Sequence, residues 1–475
     1  MDARTPTDSP TMMDTRTGLA KLATYPFHIL TWVEADGYPV SVAVEAAIDP
    51  AAGKAGFFPP AGLAVPTDAA ISLTGSHIRP LPGIGYDERR HVTVWGRLAP
   101  DPATERPAPA GALTMVAERA WGWDEAEMHF VEYSERGVGQ SRRYFQQLSE
   151  RAGRTVGPRL SRGWLALRAT RLPFLSATLV PVLLGILIAA SKGFFDLPSA
   201  IATLIGASAV HLGLNVANDV FDTQSGADEA NVNPTQFSGG SRVIQYGLVS
   251  LQGMKRISLG FYLLAAAVGL YLLATRFSVP LLVIGAVGMV VSFGYTAPPL
   301  KFVYRGLGEI AVAVGFGPMM LLGAYVVQTL GTTSAEAVIA SLPVAILIAL
   351  VLYVNEVPDR RGDAAAGKRT LPVRWPRELV VNGYLVAALA AFGIVLGGVI
   401  AGVLPIPALA ALVALPLVRR VYGGLQQYYD QPYGLMAFLG VNVKLHLYVG
   451  GLLLLAYVVV LLGAALAPSV PLFLR

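Results

Sequence analysis

The sequence predicts a multi-domain protein in which a mostly β soluble domain precedes an all-α polytopic membrane bundle of nine transmembrane helices. Of the 475 residues, 54% are hydrophobic and only 14% are charged, unlike an ordinary soluble domain. Residues 172–467 consist of long apolar runs separated by short charged loops, whereas residues 20–155 carry charges at ordinary spacing and many prolines. The two parts are therefore interpreted separately.

The N-terminal part begins with residues 1–19, which contain no apolar stretch of the kind found in secretory signals and are predicted to be a disordered lead. Short β-branched and aromatic runs (HILTWVEA, YPVSVAVEAAI, AAISLTG, HVTVWGRLA) alternate with DG, PAAG and PLPGIG turns and predict strands over residues 20–155. We expect helices near 111–120 and 138–152. A linker over 156–171 leads to the first membrane span.

The membrane part is divided by apolar run length. A helix that crosses a bilayer needs about 20 mostly apolar residues. Nine segments meet this criterion, the eighth being short and interrupted by proline: 172–190, 198–217, 257–275, 279–296, 308–328, 337–354, 381–402, 404–419 and 446–467.

The basic residues then orient the bundle. Alternating the sides of nine spans places nearly all lysines and arginines of the loops on one side, and leaves only Lys192, Arg276 and Arg475 on the other. Cytoplasmic loops carry such an excess, so we expect a multi-pass cell-membrane protein with a cytoplasmic N-terminal domain. The net charge of +5 is thus attributed to membrane anchors and phosphate ligands, not to nucleic-acid binding. The absence of cysteine excludes disulfides, thiolate metal sites and cysteine nucleophiles.

The end of the second span carries the first cluster of candidate site residues. Carboxylates at positions i and i+3 lie on one face of a helix, so Asp219 and Asp222 can share a cation. The alternative is a solvated helix end, but charges beside hydrocarbon are costly and usually mark function. The segment NVANDVFDTQSGAD supplies the cluster: Asn215, Asn218, Asp219, Asp222 and Asp228.

A second cluster follows the sixth span, in NEVPDRRGDAAAGKRTLP. Asn355, Asp359 and Asp363 precede Lys368 there, and the two aspartates again share a helical face. With alternating spans, both clusters open on the cytoplasmic side. Magnesium is normally held by one or two carboxylates plus substrate phosphates, so facing clusters could clamp two ions around a diphosphate. A transporter would more often place such charges near the bilayer midplane.

Together these motifs resemble the UbiA superfamily of intramembrane prenyltransferases. The resemblance covers about residues 164–467 and rests on NDxxD at Asn218 to Asp222, on DxxxD at Asp359 to Asp363, and on SFGYTAPPLKFVYRGLGEI between them. The spacing from Asp222 to Asp228 and the AGKRTLP, RATRLPFLSATLVPVLLG and KLHLYVGGLLL segments are similar to the 1,4-dihydroxy-2-naphthoate prenyltransferases of menaquinone biosynthesis. FSGGSRVIQ at 237–245 also occurs in other relatives within the superfamily, and it does not indicate one acceptor.

The resemblance implies a magnesium-dependent transfer of a polyprenyl group from its diphosphate to a small aromatic acceptor, 1,4-dihydroxy-2-naphthoate. The alternatives are another acceptor (4-hydroxybenzoate, homogentisate or haem) and a cation-coupled transporter. The implied magnesium ligands are Asp219, Asp222, Asp359 and Asp363, supported by Asn215, Asn218, Asp228 and Asn355. The implied diphosphate contacts are Arg242, Lys301, Arg305 and Lys368; the alternative for Lys301 and Arg305 is topology anchoring, and the same positions could serve both roles.

Three further residues are catalytic candidates. Tyr295 could offer its ring to the developing allylic cation, or could belong to an interfacial aromatic belt. Arg168 could approach a carboxylate of the acceptor or anchor the first span. His446 could be a base on the acceptor side or a hydrogen-bonded interface residue.

The N-terminal part resembles the pyridoxamine-phosphate-oxidase-like split barrel, in HILTWVEADGYPVSVAV followed by GSHIRPLPGIGYDERRHVTVWGRL. That resemblance implies a possible FMN cofactor, with His77, Arg79, Arg89 and Arg90 as candidates to face its phosphate. The alternatives are solvated strand ends in an accessory or dimerisation domain.

Overall fold

A computed structural model of the chain describes residues 12–34, 39–66, 70–81, 85–99, 112–154, 156–157, 160–231, 234–235, 237–466 and 471–474. These residues form two compact units that divide between Ser134 and Glu135. The division falls inside a helix, upstream of the predicted linker over 156–171. Of the predicted lead, residues 1–11 lie outside the described part, and a helix begins at Thr15.

The first unit is an antiparallel β half-barrel, as its alternating apolar runs predict. Its strand order is β3-β2-β6-β7-β8-β5-β4, with β1 paired to β8. The strands are β1 (Met12–Met13), β2 (His28–Val33), β3 (Pro39–Val44), β4 (Ala46–Asp49), β5 (Lys54–Phe57), β6 (Ala70–Leu81), β7 (Gly85–Leu98) and β8 (Leu113–Asp124). The predicted PLPGIG turn lies partly outside the described residues.

The half-barrel encloses its own apolar core. Alternate side chains of β2, such as Leu30 and Trp32, point to one face and are buried. Helix α1 (Thr15–Leu22) begins at the N-cap Asp14, whose carboxylate accepts a hydrogen bond from the Thr17 N–H, and buries Leu19 and Leu22 in the same cluster. The mostly β prediction is confirmed.

The helix predicted near 111–120 is wrong, because this segment forms β8. LTMVAERAWGW contains Met, Ala, Glu and Arg, which favour helices in isolation. In the structure it pairs with β7, β5 and β1, and in the sheet it lies between β7 and β5. Tertiary pairing therefore overrides local propensity. The helix predicted near 138–152 is present as the end of α2 (Phe130–Ala152).

The second unit is a helical bundle in which every predicted span has a counterpart. Among the described residues, eight helices are long and apolar enough to cross a membrane, and Val279–Gly294, with 16 residues, is shorter. The prediction of nine spans is therefore approximate. In chain order the apolar helices are α3 (Leu172–Ser191), α4 (Leu197–Ser225), α5 (Leu251–Thr275), α6 (Val279–Gly294), α7 (Gly308–Thr329), α8 (Ala335–Ala365), α9 (Arg377–Ile400), α10 (Ile406–Tyr428) and α11 (Pro432–Leu466).

Two of these helices carry the acidic motifs at their C-terminal ends. α4 ends at Gly226, which adopts the left-handed conformation that commonly terminates helices. α8 is the most buried of the eight long helices and contacts α3, α7, α9 and α11. A short helix at Ala227–Ala230 packs on α8, so the two motif-bearing ends lie side by side.

Candidate active site

The two acidic segments meet in one pocket of about 100 Å³. Among the described residues, five acidic and two basic side chains line it, so the pocket carries an excess of carboxylates. The charged lining residues are Arg171, Asp222, Asp228, Glu356, Asp359, Asp363 and Lys368. The predicted residues Asn218 and Asn355 line the same pocket.

Lys368 joins the two motifs directly. Its ammonium lies 2.9 Å from Asp222 Oδ2 and 3.5 Å from Asp363 Oδ1, and all three side chains are almost fully buried. Burial opposes charging of this amine, but the carboxylates of Asp222 and Asp363 raise the pKa of Lys368 well above its ordinary value. Lys368 is therefore a permanent cation between the two acidic helix ends.

The loop of residues 237–247, called the glycine loop below, supplies backbone donors to the acids. The Gly239 N–H donates to Asp359 Oδ2 at 2.8 Å, and the Ser241 N–H lies 3.2 Å from Asp219 Oδ2. Gly240 has φ of +75°, and a Cβ there would lie 3.0 Å from Asp228 Oδ1 and 3.1 Å from Asp219 Oδ1. Glycine is thus required where the backbone passes between two carboxylates.

Asp228 lies in the short helix Ala227–Ala230 and contacts the glycine loop. Its carboxylate accepts a hydrogen bond from Gln245 Nε2 at 3.2 Å, and its backbone carbonyl accepts one from the Arg242 guanidinium. Burial, reinforced by the negative charges of Asp222 and Asp219, raises the pKa of Asp228 to about 8. A cation that enters the pocket would favour the ionised form of this carboxyl and would be attracted by it.

A second, apolar cavity of about 470 Å³ adjoins the acidic pocket. It lies between α4, α5, α6 and α7 and is lined almost wholly by aliphatic and small side chains. Tyr295, at the end of α6, lines both the acidic pocket and the apolar cavity. A ligand with a polar head and an apolar tail could therefore occupy the two spaces at once and pass the Tyr295 ring.

Seven predicted site residues do not line either cavity: Arg168, Asn215, Asp219, Arg242, Lys301, Arg305 and His446. Asn215 donates to the Thr170 carbonyl at 3.2 Å, and Arg305 donates to the Pro299 carbonyl at 2.8 Å. Among the others, Lys301 lies over the Tyr304 ring and Arg168 donates to the Ser241 carbonyl. His446 is buried, and its Nε2 has no hydrogen-bond partner among the residues that the structure describes. Arg242 contacts the carbonyl of Asp228 without lining the acidic pocket.

Two charged lining residues were missed by the sequence analysis. Arg171 lies three residues after Arg168, in the same RATRLP segment, and adopts a left-handed backbone conformation with φ of 54°. Glu356 follows Asn355 within the second motif. Neither carboxylate oxygen of Glu356 accepts a hydrogen bond from a donor of the described chain. The position of Glu356 inside the acidic motif NEVPD could have predicted that it lines the pocket. Nothing in the sequence indicated that Arg171, and not Arg168, would line it.

The donor set fits a divalent cation that is shared with a ligand. Within the described part of the chain, no three acidic or histidine side chains converge as a complete metal site. Magnesium normally takes one or two carboxylates and completes its shell with water and phosphate oxygens. The buried carboxylates on both helix ends match that requirement.

The candidate cations of the half-barrel have partners of their own. Arg79 lies 2.8 Å from Glu88 and His77 lies 3.4 Å from it, whereas Arg89 pairs with Glu125. Arg90 interacts with the Tyr25 hydroxyl. These charges are compensated locally, which gives no support to a phosphate site.

Comparison with known proteins identifies the bundle. The UbiA prenyltransferase family matches residues 178–442, which is more than half of the chain. The chain belongs to the UbiA prenyltransferase family. It is therefore an integral membrane prenyltransferase, and the matched UbiA region contains both acidic motifs, the glycine loop and Lys368.

Several UbiA relatives are similar over most of their own length. A 1,4-dihydroxy-2-naphthoate octaprenyltransferase of Bacillus subtilis is 27% identical over 256 residues, covering 53% of this chain and 80% of the relative. A 2-carboxy-1,4-naphthoquinone phytyltransferase of Synechocystis is 28% identical over 314 residues, covering 64% and 95%. The apo structure of a UbiA homolog from Aeropyrum pernix K1 is 16% identical with a TM-score of 0.45, covering 58% and 97%.

Proposed function

We propose that the protein transfers a polyprenyl group from polyprenyl diphosphate to 1,4-dihydroxy-2-naphthoate in a magnesium-dependent reaction of menaquinone biosynthesis. The observation that supports this most strongly is the meeting of an acidic pocket and an apolar cavity at Tyr295. A prenyl diphosphate combines a highly charged head with a long apolar tail, so it needs both spaces next to each other.

The head of the donor would bind in the acidic pocket with magnesium. Asp222, Asp359 and Asp363 are proposed magnesium ligands that line it. Asp228 also lines it as a supporting ligand, and Asp219 is a further proposed ligand held beside Gly240. Asn218 and Asn355 are proposed as water-mediated ligands. Magnesium supplies Lewis-acid neutralisation of the leaving diphosphate. Without such cations the excess of carboxylates would repel a diphosphate.

The chain's own cations would complete the binding of the head. Lys368 and Arg171 line the pocket and are the proposed diphosphate contacts. We place Arg242, Lys301 and Arg305 outside this set because they do not line the pocket. As the C–O bond breaks, negative charge grows on the diphosphate, so Lys368 is placed to stabilise the transition state more than the ground state.

The allylic carbon would lie at the boundary of the two cavities. There the Tyr295 ring faces the developing carbocation, and the aliphatic walls of the apolar cavity exclude water that would quench it. The acceptor's ring carbon then forms a C–C bond with the prenyl carbon as the diphosphate leaves, and the ring regains aromaticity by losing the proton, or the carboxylate as CO2, that this carbon carried. His446 is not assigned as the base, because it lines neither cavity.

The names of the relatives support the choice of acceptor. Both relatives described above act on a naphthalene ring system with a carboxyl substituent, according to their names. Purified protein should prenylate 1,4-dihydroxy-2-naphthoate faster than 4-hydroxybenzoate or homogentisate, and EDTA should abolish the reaction. Activity that survives in EDTA would refute the metal assignment, and preference for another aromatic acid would refute the acceptor.

We further propose that the acidic pocket and the N-terminal domain face the cytoplasm, as the distribution of lysine and arginine predicts. The chain has no cysteine, so single cysteines can be introduced without background. A membrane-impermeant thiol reagent added outside intact cells should label Phe195→Cys and leave Glu150→Cys unlabelled. The opposite pattern would reverse the orientation.

FMN binding by the half-barrel stays a prediction. The pairing of Arg79 and Arg89 with carboxylates argues for an accessory role instead. The visible absorbance spectrum of the full-length protein, with and without added FMN, distinguishes the two. The isoalloxazine ring of a bound flavin absorbs at about 450 nm, so an absorbance band there would establish the cofactor.

A further inference from the structure

The C-terminal part of α2 contacts the glycine loop. Residues from Glu135 onward belong to the same compact unit as the helical bundle, although they lie upstream of the matched family region 178–442. Arg142 Nη1 donates to the Gln245 carbonyl at 2.7 Å. The Tyr246 hydroxyl donates to the carboxylate of Glu135. Both α2 side chains therefore hold the same two-residue segment of the loop.

The held segment is connected to the acids of the pocket. Gln245 Nε2 donates to Asp228 Oδ2 at 3.2 Å and to Thr223 Oγ1 at 2.9 Å. Arg168 Nη2 donates to the Tyr246 hydroxyl at 3.4 Å, and Arg168 Nε donates to the Ser241 carbonyl at 3.0 Å. A chain of hydrogen bonds thus runs from Glu135 to the residue whose N–H faces Asp219.

We propose that Glu135 and Arg142 are positioning residues that fix the glycine loop against the acidic pocket and thereby set its affinity for magnesium. The proposal rests on the proposed function for its link to magnesium, but the docking of the loop can be tested separately. Loop amides that are held in place donate to Asp219 and Asp359 without further ordering. A loosened loop must first be ordered, which weakens cation binding.

Arg142 is suited to such a role and not to general stabilisation of the fold. Its side chain is exposed, so its loss leaves no buried cavity. Arg143 is the next residue of α2 and is also exposed, and its side chain makes no hydrogen bond or ion pair within the described part of the chain. Arg143→Ala is therefore a matched control with the same change in charge and helix propensity.

The test compares Arg142→Ala, Glu135→Ala and Glu135→Gln with Arg143→Ala in the full-length protein. Hydrogen exchange of the amides in 237–247 should accelerate in Arg142→Ala and Glu135→Ala, and less in Glu135→Gln, which keeps an oxygen acceptor. The magnesium concentration at half-maximal rate should rise roughly tenfold, while kcat at saturating magnesium stays within about twofold. Arg143→Ala should match the wild type in both measurements.

Two outcomes would overturn the proposal. Unchanged hydrogen exchange in the glycine loop would show that α2 does not hold it. Faster exchange with an unchanged magnesium requirement would show that the loop's position does not set cation affinity. If the wild type transferred no prenyl group with magnesium, the proposed function would fail, and hydrogen exchange would still decide whether α2 docks on the loop.

Discussion

Charged side chains cluster in both units of the molecule, but the two clusters are balanced differently. In the half-barrel, Arg79 and Arg89 each pair with a carboxylate, so each of these two ion pairs is electrically neutral. In the acidic pocket, Lys368 and Arg171 face five acidic lining residues. Locally balanced pairs at strand ends need no ligand, whereas a buried excess of one sign requires either protonation or a bound ion.

The difference shows which kind of charge cluster marks a site. Exposed ion pairs contribute little to stability and are common on surfaces. Buried carboxylates that share one lysine are costly, and their cost is offset by protonation or by a bound cation. We therefore expect changes in the acidic pocket to depend on magnesium and changes in the half-barrel not to.

The largest effect is expected from Asp222→Asn and Asp359→Asn, one on each helix end. Each change removes a charged magnesium ligand at constant size, and the rate of prenyl transfer should fall by about a thousandfold at saturating substrates. Asp430→Asn is the control, since Asp430 is half exposed and pairs with Arg360 away from the pocket. A rate within about tenfold of wild type for both pocket variants would contradict the metal assignment.

Lys368→Met should produce the largest loss of stability. It leaves Asp222 and Asp363 without their shared cation, and removing one partner of a buried ion pair costs about 3 kcal/mol or more. Magnesium can replace the lost charge, so the melting temperature should recover when magnesium is added. Lys192→Met is the control, because Lys192 pairs with one carboxylate, that of Glu336 at 2.6 Å, whereas Lys368 contacts two. An equal recovery in both variants would remove the distinction between the two sites.

Much of the bundle could be predicted from sequence because its determinants are local. Run lengths of apolar residues predict the spans, and the two acidic helix ends, predicted to open on the same side, meet in one pocket lined by Asp222 and Asp363. The contacts of the glycine loop could not be predicted, since its backbone N–H groups bind acids 22 and 120 positions away in the chain. Only the Gly239–Gly240 pair signalled that the backbone there passes close to other groups.

Two other features that the sequence did not reveal have the same physical origin. Residues 111–120 were assigned to a helix because propensity is local, whereas β8 is stabilised by strands on both sides. Arg168 and Arg171 lie one helical turn apart in sequence, but only Arg171 faces the pocket, because the left-handed backbone at this residue redirects the chain. An i, i+3 spacing predicts that two residues share a face only when one continuous helix contains both of them.

The pH dependence of magnesium binding would sharpen the comparison further. In the absence of metal, burial and neighbouring carboxylates raise the pKa of Asp228 to about 8, so below that pH its carboxyl is mainly protonated. Magnesium must displace this proton, and its half-saturating concentration should fall by up to about tenfold per pH unit between 6.5 and 8. Asp228→Asn should make this dependence shallower, and an unchanged slope would argue against its participation.

The smallest effect is expected in the half-barrel, from Arg89→Gln. Arg89 and Glu125 are each about one-quarter exposed or less, and their side-chain hydrogen bonds include one from Arg89 Nε at 3.1 Å. Loss of the ion pair should lower the free energy of unfolding by about 1 kcal/mol, because solvent screens part of the interaction. Thermal unfolding with and without magnesium should show the same small shift, since the change leaves one partly exposed carboxylate, that of Glu125, whose charge solvent can screen. A shift that magnesium reverses would mean that this cluster also binds a cation, and the contrast between the two units would be lost.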